Sequence, residues 1–209
     1  MGLTRLAVLV SGSGTNLQAL IDSAERGENP AGRIALVASS APDAYGLERA
    51  RAARIPVLAL DKKALGSQGF EARLLQALLE QEIDLLVLAG FLHILSRDFI
   101  ARLQVPIINI HPALLPAFGG RGFYGLKVHQ AVLAAGVPFT GATVHYVNEI
   151  PDGGQILLQK QVPVLPGDTP ELLQQRVMEQ AEWLLLPQAV ARLCTELQRQ
   201  KEASLDAPS

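Results

Sequence analysis

Val105-Pro106-Ile107-Ile108-Asn109-Ile110-His111-Pro112 is the stretch whose reading decides how this chain folds. The apolar run over 105–110 reads as a buried strand that ends in two polar residues and a proline. Successive strand residues face opposite ways, so Asn109 and His111 point together while Ile110 packs in the other direction. Pro112 has no N–H to donate and stops the ladder. Asn109 supplies an amide donor, and His111 supplies the side chain that titrates near neutrality. The pair can polarise a carbonyl and move a proton, or it can simply turn the chain and cap a strand end. Its neighbours decide between the two.

Upstream, 6–10 is a short, continuously apolar run, as expected of a strand covered on both faces. It leads into Ser11-Gly12-Ser13-Gly14-Thr15-Asn16 and a helix over 15–24 with Leu17, Leu20 and Ile21 on one face. Strand, glycine loop and helix together aim backbone N–H groups at an anion. The loop is not a dinucleotide fingerprint, because Leu17 occupies the third glycine position, and no Gly-Lys-Ser/Thr follows to make a Walker loop. Further strands are expected over 34–38, 56–60 and 85–89, with helices over 45–53, 70–82 and from the Ser96 cap to 103. This alternation implies a doubly wound α/β fold, Rossmann-type, with a mostly parallel sheet and helices on both faces. Ligands of such sheets bind beyond the carboxyl ends of the strands. The glycine loop, Gly90 and the Asn109/His111 pair all fall on that edge.

Downstream the pattern changes. Gly119, Gly120, Gly122 and Gly125 mark a mobile loop over 116–125, and a helix follows over 127–135. The segment 140–147 alternates as a half-exposed strand should. A loop over 148–154 and a strand over 156–164 complete a C-terminal antiparallel pair. A final long helix over 169–197 starts at Thr169-Pro170-Glu171, with a break or kink expected at Pro187. We expect a single domain over 1–200 and a disordered tail over 201–209.

The composition narrows the function. With 49% apolar and 18% charged residues, the 209-residue chain is globular. A net charge of −2 without any basic cluster argues against nucleic acid as a partner. A lone Cys194, the lack of a signal segment and the lack of an apolar span long enough for a bilayer point to a cytoplasmic protein away from the membrane. No metal-ligand spacing is present, nor a Gly-x-Ser-x-Gly nucleophile elbow.

One more motif completes the set. Pro151-Asp152-Gly153-Gly154 lies between the last two strands and alone would be a turn. Taken together, Ser11–Asn16, Leu88-Ala89-Gly90-Phe91, Asn109 to Pro116, Thr140 to His145 and Asp152-Gly153-Gly154 resemble, in the same order, the folate-dependent phosphoribosylglycinamide formyltransferases of purine biosynthesis. The resemblance covers roughly 6–190.

It implies a formyltransferase-like fold and transfer of a formyl group from 10-formyltetrahydrofolate, as cosubstrate, to the amine of glycinamide ribonucleotide. The implied catalytic set is Asn109 as oxyanion donor, His111 as imidazolium or proton shuttle, and Asp152 raising the histidine's pKa. Gly12, Ser13, Gly14, Thr15 and Asn16 would hold the substrate phosphate, and Glu182 would contact the nucleotide. Leu92, His93, Ile94 and Leu95 would line the pterin pocket with Asn109, and the loop Asn148, Glu149, Ile150, Pro151 and Asp152 would close it. No metal is implied, and the assembly is a monomer or homodimer.

Three positions depart from the commoner family pattern: His93 and Ser67, where arginines are frequent, and Trp183, where histidine is frequent. His145 reads as a structural group or as a support behind the catalytic residues, His129 as a satisfied surface histidine, and Thr143 as a candidate to position a water. Two other readings keep this pocket: a 10-formyltetrahydrofolate hydrolase, and a non-catalytic folate- or nucleotide-binding protein. A methionyl-tRNA formyltransferase would need a further C-terminal domain and a polyanion-binding surface.

Overall fold

The computed structural model describes residues 2–205. The chain runs β1 (Thr4–Val10), α1 (Thr15–Glu25), β2 (Gly32–Ser39), α2 (Tyr45–Ala52), β3 (Val57–Ala59), α3 (Lys62–Glu80), β4 (Leu85–Leu88), α4 (Arg97–Leu103), β5 (Ile107–His111), α5 (Leu126–Ala134), β6 (Phe139–Tyr146), β7 (Ile156–Pro163), α6 (Pro170–Val177), a π-helical turn (Met178–Glu182) and α7 (Trp183–Leu205). All seven strands join one sheet in the order β3-β2-β1-β4-β5-β6-β7. The first five strands are parallel, whereas β6 runs antiparallel to both β5 and β7. This is the doubly wound sheet with an antiparallel end that the sequence implies.

Strand residues of opposite parity fill two cores. Val8, Val10, Val87 and Ile108 pack with Leu17, Ile21, Leu47 and Leu186 on one face. Ala7, Leu9, Leu86 and Ile107 pack with Phe70, Leu74, Leu78 and Phe99 on the other. Continuous apolar strands are therefore needed, because neither face of the parallel half meets water. The winding direction reverses between β1 and β4, which opens a crevice at their carboxyl ends. There Ser11 N donates to Gly90 O at 3.2 Å.

Several elements differ from the sequence reading, each for a local reason. Helix α3 begins at Lys62, because Asp61 caps it by accepting from Lys63 N at 2.9 Å and Ala64 N at 3.1 Å, and Gly66 at φ 67° kinks it before the expected start. Strand β6 is buried rather than half-exposed. Its apolar side, Ala142 and Val144, joins the first core, while Thr143 and His145 on the other side are enclosed by segment 113–115 and the cavity wall. Pro187 lies inside α7 without ending it. The irregularity sits a turn earlier, in the π-helical turn that aims Glu182 inward. Helix α7 runs through Leu205 into the segment expected to be a tail, and 206–209 fall outside the described residues. No described helix is long and apolar enough to cross a membrane.

Candidate active site

One cavity of about 440 Å³ follows the carboxyl edge from the glycine loop to the 148–152 loop, a size suited to a small-molecule site. The glycine loop forms one wall. Gly14 takes φ 70° and packs so tightly on α2 that a Cβ there would lie 2.6 Å from Gly46 Cα, so only glycine fits. The loop's carbonyls turn away from the cavity: Gly46 N donates to Gly12 O at 3.0 Å and Gln18 N to Gly14 O at 2.9 Å. No side chain caps α1. Its first N–H groups, and the positive end of its dipole, are therefore available to an anion.

Beneath this wall Asn16 is buried and donates through Nδ2 to Glu182 Oε2 at 2.7 Å. Glu182 is buried too, held there by the π-helical turn, and burial pushes its carboxyl up to about 7 against the pull of the Asn16 hydrogen bond. The sequence alone allows a solvent-facing glutamate at this position, and the structure removes that reading.

The opposite wall is made of side chains. Asn109 and His111 emerge together from the end of β5, and Thr143 and His145 stand directly across from His111 and Asn109 on β6. Asp152 reaches in from the 148–152 loop at φ 55°, a left-handed conformation uncommon for a residue with a side chain. Two features hold this turn: Gly153 N donates to Ile150 O at 2.9 Å, and Gly154 approaches β6 so closely that a Cβ would lie 1.7 Å from Tyr146 O.

Asp152 then meets four partners. Gly120 N donates to its Oδ2 at 2.9 Å, Asn109 Nδ2 lies 3.5 Å from Oδ1, His111 Nδ1 lies 3.5 Å from Oδ2, and His145 Nε2 lies 3.5 Å from Oδ1. Burial pushes the Asp152 carboxyl up, but the imidazoles of His145 and His111 and the Gly120 N–H together hold it below the usual range.

The two histidines are fixed by carbonyls, which only accept. His111 Nε2 donates to Phe118 O at 2.8 Å, so in the neutral ring the lone pair is on Nδ1, facing Asp152. His145 Nδ1 donates to Tyr146 O at 2.8 Å, which leaves Nε2 facing Asn109 Nδ2 at 3.1 Å. The same nitrogen faces Asp152 Oδ1 at 3.5 Å, so Asn109 and the carboxylate share it. The other N–H of Asn109 meets Asp152 only at 3.5 Å, too long to hold it, and remains able to reach a ligand.

The expected upward pull of Asp152 on the pKa of His111 is present but does not prevail. Asp152 and the Phe118 carbonyl do pull it up, but burial outweighs them and the net shift is downward. His111 rests neutral at neutral pH.

Other expectations also change. His129 is fully buried, not on the surface, and both its ring nitrogens lack a hydrogen-bond partner among the described residues. Burial, with His111 nearby, pulls its pKa down to about 4. The Thr143 hydroxyl donates to Ala113 O at 2.7 Å and accepts from Leu115 N at 3.1 Å and Gln159 Nε2 at 2.9 Å. A hydroxyl has one donor and two acceptor sites, so nothing remains to position a water.

His93 lines the cavity and its ring nitrogen meets Glu71 at 3.0 Å, with Phe70 edge-on to it. Burial, opposed by Glu71, lowers its pKa. Glu149 lies outside the lining and pairs with Arg97 at 2.9 Å. Leu92, Ile94 and Ile150 are exposed at the mouth, an apolar rim that suits a flat, weakly polar ligand. His145 takes the supporting place the sequence suggests, against Asn109 and Asp152, whereas the backbone of Phe118 and Gly120 escapes sequence reasoning. The antiparallel register of β5 and β6 brings in the first, and only the fold of the glycine-rich loop brings in the second.

Comparison with known proteins agrees with this geometry. The family model described as formyl transferase matches residues 4–190. Phosphoribosylglycinamide formyltransferase of Haemophilus influenzae is 42% identical over 186 residues, covering 88% of this chain and 84% of that one. The chloroplastic phosphoribosylglycinamide formyltransferase of Vigna unguiculata is 39% identical over 193 residues and 92% of this chain, which spans only 61% of that relative's length. Among solved structures, glycinamide ribonucleotide transformylase 1 from Symbiobacterium toebii aligns with a TM-score of 0.85 and 41% identity, over 93% of this chain and 89% of that one. This chain belongs to the formyl transferase family.

Proposed function

We propose that the protein transfers the formyl group of 10-formyltetrahydrofolate to the amine of glycinamide ribonucleotide, giving the N-formyl product and tetrahydrofolate in purine biosynthesis. One observation carries this reading: a single cavity joins an uncapped helix N-terminus, suited to a phosphate, to a neutral histidine bracketed by a carboxylate and beside an amide donor. The relatives from Haemophilus influenzae and Symbiobacterium toebii are named for formyl transfer to this acceptor.

The nucleotide phosphate sits on the loop of Gly12, Ser13, Gly14, Thr15 and Asn16, and Glu182 accepts from a hydroxyl of the same substrate. The folate heterocycle lies between the 92–95 segment and the 148–152 loop, whose apolar rim and backbone groups suit it. Its amine acceptor meets the formyl carbon beside Asn109. As the C–N bond forms, Asn109 donates its free N–H to the oxygen that gains charge. His111 Nδ1 takes the amine proton, and the imidazolium so formed rests between Phe118 O and Asp152. When the formyl carbon leaves the folate nitrogen, that nitrogen takes the proton back from His111. One proton moves, the chain returns to its starting state, and no step needs a metal. His145 and Gly120 keep Asp152 and Asn109 in place.

We further propose that the protein acts in the cytoplasm as one domain, alone or as a homodimer, without nucleic acid or membrane partners. The test is to incubate the enzyme with both substrates and identify the acceptor product by mass spectrometry. Formylated glycinamide ribonucleotide supports the assignment; formate with unchanged nucleotide would replace it with a hydrolase.

A further inference from the structure

A phosphate brings about two negative charges, yet none of the glycine-loop residues that line the cavity is charged. Arg49, on α2 behind the loop, addresses that imbalance. Its Nε donates to Ser13 O at 2.9 Å, its Nη1 donates to Gln18 Oε1 at 3.0 Å, and its guanidinium stacks on the Tyr45 ring with 5.1 Å to the centroid. Three supports hold one planar group, so the side chain is pre-organised rather than loosely placed.

In a trans peptide the C=O and the following N–H point opposite ways. Gly46 fastens the Gly12 carbonyl backward, so Ser13 N–H points forward; Gln18 N fastens Gly14 O, so Thr15 N–H points forward. The unit between these two is the Ser13–Gly14 peptide, and Arg49 is the group that fastens its carbonyl. Without Arg49 that peptide is free to rotate and present a carbonyl oxygen to the anion. The same contact sets a permanent positive charge against the carbonyl, which polarises the peptide and strengthens the Gly14 N–H as a donor.

We propose that Arg49 is the positioning residue of the phosphate subsite, acting through the Ser13–Gly14 peptide without touching the substrate. This rests on the nucleotide reading of the cavity given above. It assigns to α2 a part in substrate selection, favouring acceptors that carry a phosphate over those that end in a hydroxyl.

The test compares wild type, Arg49→Met and Arg49→Lys in two measurements. Ribose 5-phosphate binding is titrated calorimetrically, and kcat/KM is measured with glycinamide ribonucleotide and with its dephosphorylated riboside. Arg49→Met should weaken ribose 5-phosphate binding and raise the KM for the nucleotide about tenfold, the usual scale of one charge-assisted contact. The riboside should lose less than about threefold, because it never meets the loop's amides. Arg49→Lys keeps the charge but not the planar fork and should fall between; it also carries the test if the Met variant does not fold. Equal losses on both acceptors would reduce Arg49 to scaffold, and unchanged phosphate binding would remove it altogether. If the wild type formylates neither acceptor the functional reading fails, while the ribose 5-phosphate titration still decides the part played by Arg49.

Discussion

The loop after β1 meets the cavity with backbone, whereas the junction of β5 and β6 meets it with side chains. In the first region, carbonyls are fastened behind by Gly46, Arg49 and Gln18, and what faces inward is N–H groups at a helix end. In the second, Asn109, His111, His145 and Asp152 gather within 3.5 Å contacts inside a largely buried wall. A backbone site has a fixed charge character and does not titrate, so it suits holding a phosphate at any physiological pH. A buried side-chain cluster titrates and can pass a proton, at the cost of desolvating its members. Parallel strands with apolar faces build the first region, and the antiparallel register of β5 against β6 builds the second.

The largest effects should come from breaking the side-chain region. Asn109→Ala, His111→Ala and Asp152→Ala should each lower kcat by on the order of 10²–10³, with modest change in the KM for the nucleotide. A kcat near wild type in any folded variant would take that residue out of the mechanism.

Next is the stability that this region loses in acid. His129 has its pKa depressed to about 4 in the fold and returns to its ordinary value of 6.5 when unfolded. The unfolded chain therefore binds the extra proton between those values, and stability present above about pH 6.5 is lost as pH falls towards 4. The loss attributable to His129 is on the order of 3 kcal/mol. Urea melts at pH 7 and pH 4.5 should show it, and His129→Leu should flatten the difference; an unchanged slope would contradict the buried neutral histidine.

The backbone region should respond through binding. Gly14→Ala forces a Cβ onto Gly46 at a positive φ, which costs about 1–3 kcal/mol and should raise the KM for the nucleotide with little change in that for the folate. A smaller effect joins the two regions at Glu182, whose carboxyl titrates near 7. Below that pH it is protonated and a poorer acceptor, so the KM for the nucleotide should rise several-fold as pH falls through 7. Glu182→Gln should remove that dependence, and a pH-independent KM in the wild type would argue against the contact.

How much of this was legible in the sequence follows the same division. The parallel half was readable because runs such as 6–10 and 85–89 and the Ser11–Asn16 loop carry local signals, and because an apolar strand covered on both faces has few alternatives. Asn109, His111 and Asp152 were readable as candidates because strand ends and turns on one sheet edge converge. What escaped depends on contacts distant in sequence. The buried state of His129, the filled hydroxyl of Thr143 and the lowered pKa of His111 all follow from how β6, α5 and the glycine-rich loop close over β5. Residue type fixed the partners available to these groups, and burial fixed the sign of their titration. His93 shows the same thing at the mouth, where Glu71, more than twenty positions earlier, draws its ring inward.

The two regions are proposed to act on one substrate, the backbone loop holding the nucleotide while the side-chain cluster moves its amine proton. A single-turnover experiment tests this most directly: enzyme in excess over 10-formyltetrahydrofolate, with and without glycinamide ribonucleotide, following release of tetrahydrofolate. Rapid release should occur only when the nucleotide is present, with formyl recovered on its amine. Equally fast release without the nucleotide would contradict it, because the cluster would then be serving water and the loop would have no part in the reaction.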